Sequence, residues 1–242
     1  MRIDKILANM GYGSRKEVKS LLKQGVVKVG DHIVKSPKEH VDIEQQVVTV
    51  NGEVVEYKEF VYLMMNKPPG VISATEDSEH ETVIGLLEYE DIIFEPFPVG
   101  RLDKDTEGLL LITNDGHLAH QLLSPKKHVP KKYYATIDGV VTESDIKAFE
   151  KGVTLEDGYL TKPGYLTILK SGEESEIELV IMEGKFHQVK RMFEAVGKKV
   201  TYLKRLEMGP LKLDENLELG EYRELTDEEI DLLKSVNEVN KC

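Results

Sequence analysis

The apolar positions of the chain fall into short periodic runs. Ser14 is followed three residues on by Glu17, and Val18, Leu21 and Leu22 then recur at helical intervals until Gly25. A capping box, an amphipathic turn pair and a glycine stop predict a helix over residues 15 to 24. The earlier stretch IDKILANMG predicts a first helix. VVKVGDHIVK and QVVTVNGEVVEY carry β-branched runs broken by Gly-Asp and Asn-Gly, the pattern of hairpins with tight turns. Two helices and a small sheet thus lie within about the first 58 residues, and EYKEF, residues 56–60, reads as the linker before a new strand at about Val61.

The pattern then changes. VYLMMNKPPGVIS reads as an apolar strand, a Pro-Pro-Gly turn and a second strand, because Pro68 and Pro69 forbid a continuing helix. LLLIT is a buried-type strand closed by Asn114-Asp115-Gly116, and KKYYATIDG and SEIELVIME are further strands. Thr142 with Asp145 opens a helix that ends near Gly152. Val189, Met192, Phe193 and Val196 lie at i, i+3, i+4 and i+7, an amphipathic helix stopped by Gly197. Thr226 and Glu229 form a last capping box. Strands outnumber helices without regular βαβ alternation. The expectation is an α+β fold with a mixed, largely antiparallel sheet flanked by helices, in two domains, 1–58 and 59–242.

Composition removes several classes of function. The single cysteine, Cys242, is the last residue, which leaves no disulfide framework and no thiolate zinc site and points to a reducing, cytoplasmic compartment. No apolar run is long enough to span a bilayer and the start lacks a signal-peptide core, so no membrane partner is expected. The net charge of −12 argues against nucleic acid until its distribution is read. Residues 1–40 hold nine Lys/Arg against four acids, and residues 185–205 hold seven against Glu194 alone. Arg15, Lys16, Lys19 and Lys23 fall on the outward side of the second predicted helix. Segregation of this kind suits a polyanion-binding face on an otherwise acidic body. Two solvated helix faces would give the same counts.

The densest chemistry is Gly100-Arg101-Leu102-Asp103-Lys104-Asp105-Thr106-Glu107-Gly108. A calcium loop of EF-hand type fails, because Asn114 stands where the bidentate Glu is required and the flanks are strands. A P-loop fails for want of GxxxxGK[ST]. A plain turn, its acids capping backbone amides, remains compatible with the spacing.

The segments NKPPGVISATED, GRLDKDTEGLLLITNDG, KKYYA, EGKFHQVKRMF and LKRLEMGPLKL resemble, in order, the motifs of the RNA pseudouridine synthases. The likeness is to the Rsu-type branch, in which an S4 RNA-binding domain precedes the catalytic domain; the first 58 residues resemble such a domain. SATEDSEHETV and LLSPKKHVPKKY look closer to the small-subunit enzyme than to its large-subunit relatives. The resemblance implies the pseudouridine synthase fold, no cofactor, no metal, and uridine 516 of 16S rRNA or a small-subunit assembly intermediate as substrate.

The resemblance also assigns residues. Asp103 matches the catalytic Asp, Tyr133 the active-site Tyr that packs against the base, and Lys190 the cation paired with the carboxylate, with Arg191 as substitute if the register is off by one. Arg101 matches an Arg that holds opened RNA. Lys67, Lys131, His187 and Arg191, with the cationic stripe, are expected to bind RNA; Lys198, Lys199, Lys204 and Arg205 would line the same cleft. A carboxylate in a dry pocket needs a cation to stay ionised, which agrees with the Asp103–Lys190 pairing. Asp105 and Glu107 are expected to brace the loop. The rivals are a 23S rRNA synthase, a non-catalytic assembly factor, and a glycosidase, which would need a second placed carboxylate. A monomer is expected.

Overall fold

The computed structural model describes residues 1–236, so Cys242 lies outside the described residues. The chain forms two compact units, Met1–Val61 with Leu87–Pro96, and Tyr62–Leu86 with everything from Phe97 onward. The expected division at 58/59 contains no counterpart of the Leu87–Pro96 excursion.

In the first unit, helix α1 (Ile3–Asn9) and helix α2 (Arg15–Gln24) pack on strands β1 (Val27–Val29), β2 (His32–Ile33), β3 (Val48–Val50) and β4 (Glu53–Val54). A short helix α3 spans Tyr89–Ile92. The strands form an antiparallel sheet in the order β2-β1-β3-β4. The capping box is present: Ser14 N–H donates to Glu17 Oε2 at 2.7 Å and Glu17 N–H to Ser14 Oγ at 3.4 Å. Val18 and Leu22 are buried, while Arg15, Lys16, Lys19 and Lys23 are exposed, as the periodicity requires. Asn51 and Gly52 both have positive φ (55° and 89°), the turn that matches strand twist in a two-residue hairpin.

The second unit is built on one sheet. Its strands are β5 (Tyr62–Lys67), β6 (Phe97–Pro98), β7 (Glu107–Thr113), β8 (Lys131–Asp138), β9 (Gly164–Lys170), β10 (Glu174–Ile181), β11 (Lys199–Met208), β12 (Leu211–Lys212) and β13 (Tyr222–Glu224). The order is β13-β5-β7-β11-β8-β10-β9, with β6 on β7 and β12 on β11. Every ladder among these strands is antiparallel except one, β11 against β7, which registers Lys204 with Glu107 and Arg205 with Gly108. That seam divides the sheet into two antiparallel parts. Helices α4 (Gly116–Leu123), α5 (Glu143–Lys151), α6 (Gln188–Ala195) and α7 (Asp227–Ser235) complete the unit, and Phe149 of α5 meets Phe193 of α6 edge-on at 5.0 Å. The fold is α+β, as expected.

Two local expectations are corrected. No strand follows the Pro-Pro-Gly turn; Ile72 makes only an isolated bridge to Thr82. Asn114-Asp115-Gly116 does not simply close a strand: the Asp115 carboxylate accepts from Leu118 N–H at 3.0 Å and so starts α4.

Candidate active site

The loop ahead of β7 is fastened from behind by main-chain bonds. Lys67 Nζ donates to the carbonyl oxygens of Pro68 (2.8 Å) and Thr106 (2.9 Å), with Lys104 O at 3.5 Å. Gly70 N–H donates to Lys104 O at 2.7 Å, and Ser73 Oγ exchanges two 3.0 Å bonds with Leu102 N–H and C=O. The Lys67-to-Gly70 turn therefore borders the site, but Lys67 is not the RNA contact expected of it. It closes a strand buried throughout, is itself fully buried, and its ammonium is used up on carbonyls. Burial pulls its pKa down to about 8, against the pull of Asp105, Asp103 and Glu107.

The fastened loop presents Asp103, whose side chain is about a quarter exposed (26%). The first turn of α6 brings Lys190 Nζ to 3.2 Å from Asp103 Oδ2 and 2.6 Å from Asp105 Oδ1. Burial lowers the Lys190 pKa, but the Asp105 hydrogen bond and the Asp103 charge outweigh it, and the net shift is upward. Asp105 is held low in turn, chiefly by that bond. Lys190 is thus a shared cation, and its i,i+4 pairing with Glu194 is not made. Arg191 is not the partner of Asp103: its Nη2 meets Asp157 Oδ2 at 2.5 Å. The Glu107 carboxylate braces the seam, accepting from Tyr202 O–H at 2.7 Å.

Behind Asp103 lies a cavity of about 140 Å³, bordered by Arg101, Thr106, Lys131, Tyr133, His187 and Arg205 among others. Tyr133 (7% exposed) stands opposite Arg205 in the β8–β11 register, so both side chains leave the sheet on the same face. Arg101 is exposed at the rim, and His187 Nε2 lies 3.5 Å from Asp103 Oδ1. Lys131 corrects a second expectation. It occupies an inward position of β8, is 8% exposed, donates to Val129 O at 3.0 Å, and is pushed down to about 8 by burial and by the Arg205 charge. It lines the cavity instead of offering a surface charge.

Arg205 is also buried (2%), with Nε on Leu109 O at 2.8 Å, and Lys198 is tied to Asp145 at 2.8 Å, so neither forms an open cationic wall. Arg205 Nη2 and Thr106 Oγ1 have no hydrogen-bond partner among the described residues, and both residues line this cavity. Buried polar atoms are rarely left so, and a ligand carrying acceptor and donor groups would satisfy them. The sequence signal for Arg205 was the alternation Leu203-Lys204-Arg205, which places it on the face of Leu203. Glu183, a buried acceptor for Tyr159 O–H (2.7 Å), Lys162 N–H and Gln188 Nε2 (both 2.9 Å), fixes the entry to α6 and gave no signal beyond ending a strand.

Comparison with known proteins bears on this geometry. Residues 61–195 match the RNA pseudouridylate synthase family, over half of the chain. The chain belongs to that family. Residues 1–47 match the S4 domain. An uncharacterized RNA pseudouridine synthase of Bacillus subtilis is 58% identical, over 96% of this chain and 98% of its own length. The ribosomal large subunit pseudouridine synthase B of B. subtilis is 39% identical (99% and 98% covered), and the ribosomal small subunit pseudouridine synthase A of Haemophilus influenzae 38% (96% and 99%). A crystal structure of a pseudouridylate synthase superposes with a TM-score of 0.68 at 37% identity, covering 96% of this chain and 99% of that one. The chain is therefore an RNA-modifying isomerase of the pseudouridine synthase fold, preceded by an S4 domain. Among the described residues no helix is long and apolar enough to cross a membrane.

Proposed function

We propose that this synthase isomerises uridine 516 of 16S rRNA, in the free RNA or an assembling small subunit, as a cytoplasmic monomer, with Asp103 as its reacting carboxylate. The observation that carries the site reading is the position of Asp103, between the Lys190 ammonium and a cavity walled by Tyr133. The C1′–N1 bond breaks with the Asp103 carboxylate serving the anomeric carbon. The uracil turns in the cavity, its C5 bonds to C1′, and the proton lost from C5 is matched by one gained at N1. No atom or electron is gained or lost overall, so the reaction calls for no cofactor. Lys190 keeps the carboxylate ionised, and Tyr133 packs on the base, an interaction worth about 1–3 kcal/mol per stacked base. Arg205 Nη2 and Thr106 Oγ1 suit the carbonyl and imide groups of uracil. Extruding a stacked base costs a few kcal/mol, which phosphate contacts from Arg101, His187 and the S4 stripe (Arg15, Lys16, Lys19 and Lys23) help to offset.

Likeness to the small subunit synthase supports the 16S target; the equal likeness to the large subunit synthase supports a 23S target as the second reading. Carbodiimide and primer-extension mapping of both RNAs, from cells with the protein, without it, and with Asp103→Asn, tests the target and the role of Asp103. Loss of one 16S site in both mutants is expected. Loss of a 23S site would move the target, and persistence of every site in Asp103→Asn cells would remove Asp103 from the chemistry.

A further inference from the structure

Phe186 is the most exposed of the six phenylalanines, at 69%, whereas Phe149 and Phe193 are fully buried. It is not itself a lining residue of the cavity, but both of its chain neighbours, Lys185 and His187, are, and His187 caps α6. Its ring lies on the imidazole of His187, with centroids 3.7 Å apart and planes 19° from parallel. His187 takes a left-handed conformation (φ 49°), which costs a residue other than glycine about 1–2 kcal/mol. Such strain persists where the surroundings hold it, and here it presents two rings in register beside Asp103. The Phe186 carbonyl is held by Arg191 Nη1 at 3.4 Å; Lys185, the preceding residue, is exposed with its ammonium over the Tyr159 ring at 4.6 Å, and exposed Arg101 borders the same cavity as His187.

We propose that Phe186 is a stacking platform for a nucleobase flanking the target uridine. The spacing of the two rings is close to the rise of about 3.4 Å between stacked bases, so a base laid on the open face of Phe186 continues a stack already begun by His187. His187 borders the cavity and lies 3.5 Å from the reactive carboxylate. The platform therefore reaches one ring outward from the place of chemistry, where the strand adjoining an extruded uridine must run. An exposed ring among cations is the combination that grips single-stranded RNA: charges follow the backbone while the aromatic face takes a base of any identity. The inference rests on the assignment of Asp103 to the active site and on no particular target RNA.

The chain contains no tryptophan, so Phe186→Trp installs a single tryptophan at this position, excited apart from the ten tyrosines at long wavelength. The probe is a synthetic RNA spanning the mapped uridine, with copies carrying an abasic ribose one nucleotide to either side. The natural RNA is expected to quench the tryptophan, and one of the two abasic copies to bind about tenfold more weakly without the quench. Phe186→Ala should raise KM about tenfold while acting far less on the single-turnover rate at saturating RNA, and Phe186→Tyr should restore KM. Equal melting temperatures will confirm that the alanine variant folds, as expected of so exposed a side chain. Binding with no quench, quenching by both abasic copies alike, or a wild-type KM for Phe186→Ala would overturn the platform. A wrong target would show separately, as wild-type protein that binds this RNA without isomerising it, and the quench would still decide the question for Phe186.

Discussion

Lys131 carries a charge that a count of basic residues assigns to water, yet it lies inward on β8 with its ammonium beside Arg205. Its pKa of about 8 is below the ordinary lysine value of 10.5, so the folded protein releases this proton more readily than the unfolded chain. Between about pH 8 and pH 10.5 unfolding takes up a proton at Lys131, and this residue's contribution to stability rises with pH in that window. Each unit of separation corresponds to about 1.4 kcal/mol. Urea unfolding across this range should show wild type gaining on Lys131→Met as pH rises, with a constant difference below pH 8; parallel curves throughout would contradict the buried charge. The alternation of KKYYATID already put Lys131 on the face of Tyr133, so its burial was legible, but its charge suggested RNA. Lys67 was harder to read, because its partners are carbonyls and every residue carries one. The pairing of Asp103 with Lys190 was open only through the family resemblance, since 87 residues separate them in sequence; the bridge to Asp105 was not open at all.

At the scale of elements, capping chemistry and periodicity predicted well where they acted alone. The boxes at Ser14/Glu17 and Thr226/Glu229 start α2 and α7. Asp115-Gly116 misled because a turn and a helix N-terminus use the same residue types, and only the partner of the Asp115 carboxylate tells them apart. The seam between β7 and β11 left no trace in the sequence, since two register pairs make no period. Gly108 is the point where it is tightest: φ is +101°, and a Cβ there would lie 2.3 Å from the Arg205 carbonyl oxygen. Gly108→Ala should therefore destabilise by about 3 kcal/mol or more, from the strained backbone and the overlap together. A urea midpoint unchanged from wild type would show that the strands can part there without cost.

Across the whole molecule, an acidic body carries its cations in patches, and the S4 stripe is the most regular of them. Replacing Arg15, Lys16, Lys19 and Lys23 together by Gln should weaken RNA binding and flatten the dependence of log K on log salt by up to about 3, at roughly 0.7 per phosphate of single strand. An unchanged slope would mean that the stripe faces only water. The seam has a consequence of another kind. Asp103 comes from the part of the sheet built on β5 and β7, whereas Tyr133, Lys190 and Arg205 come from the part built on β8, β10 and β11. During translation the carboxylate is made 87 positions before its Lys190 partner, and the strand β11 that joins the two parts of the sheet comes later still. With Asp103 as the proposed reacting carboxylate, a nascent chain is expected to be inert until most of its length has been synthesised, and ribosomes stalled before residue 199 should show no isomerase activity.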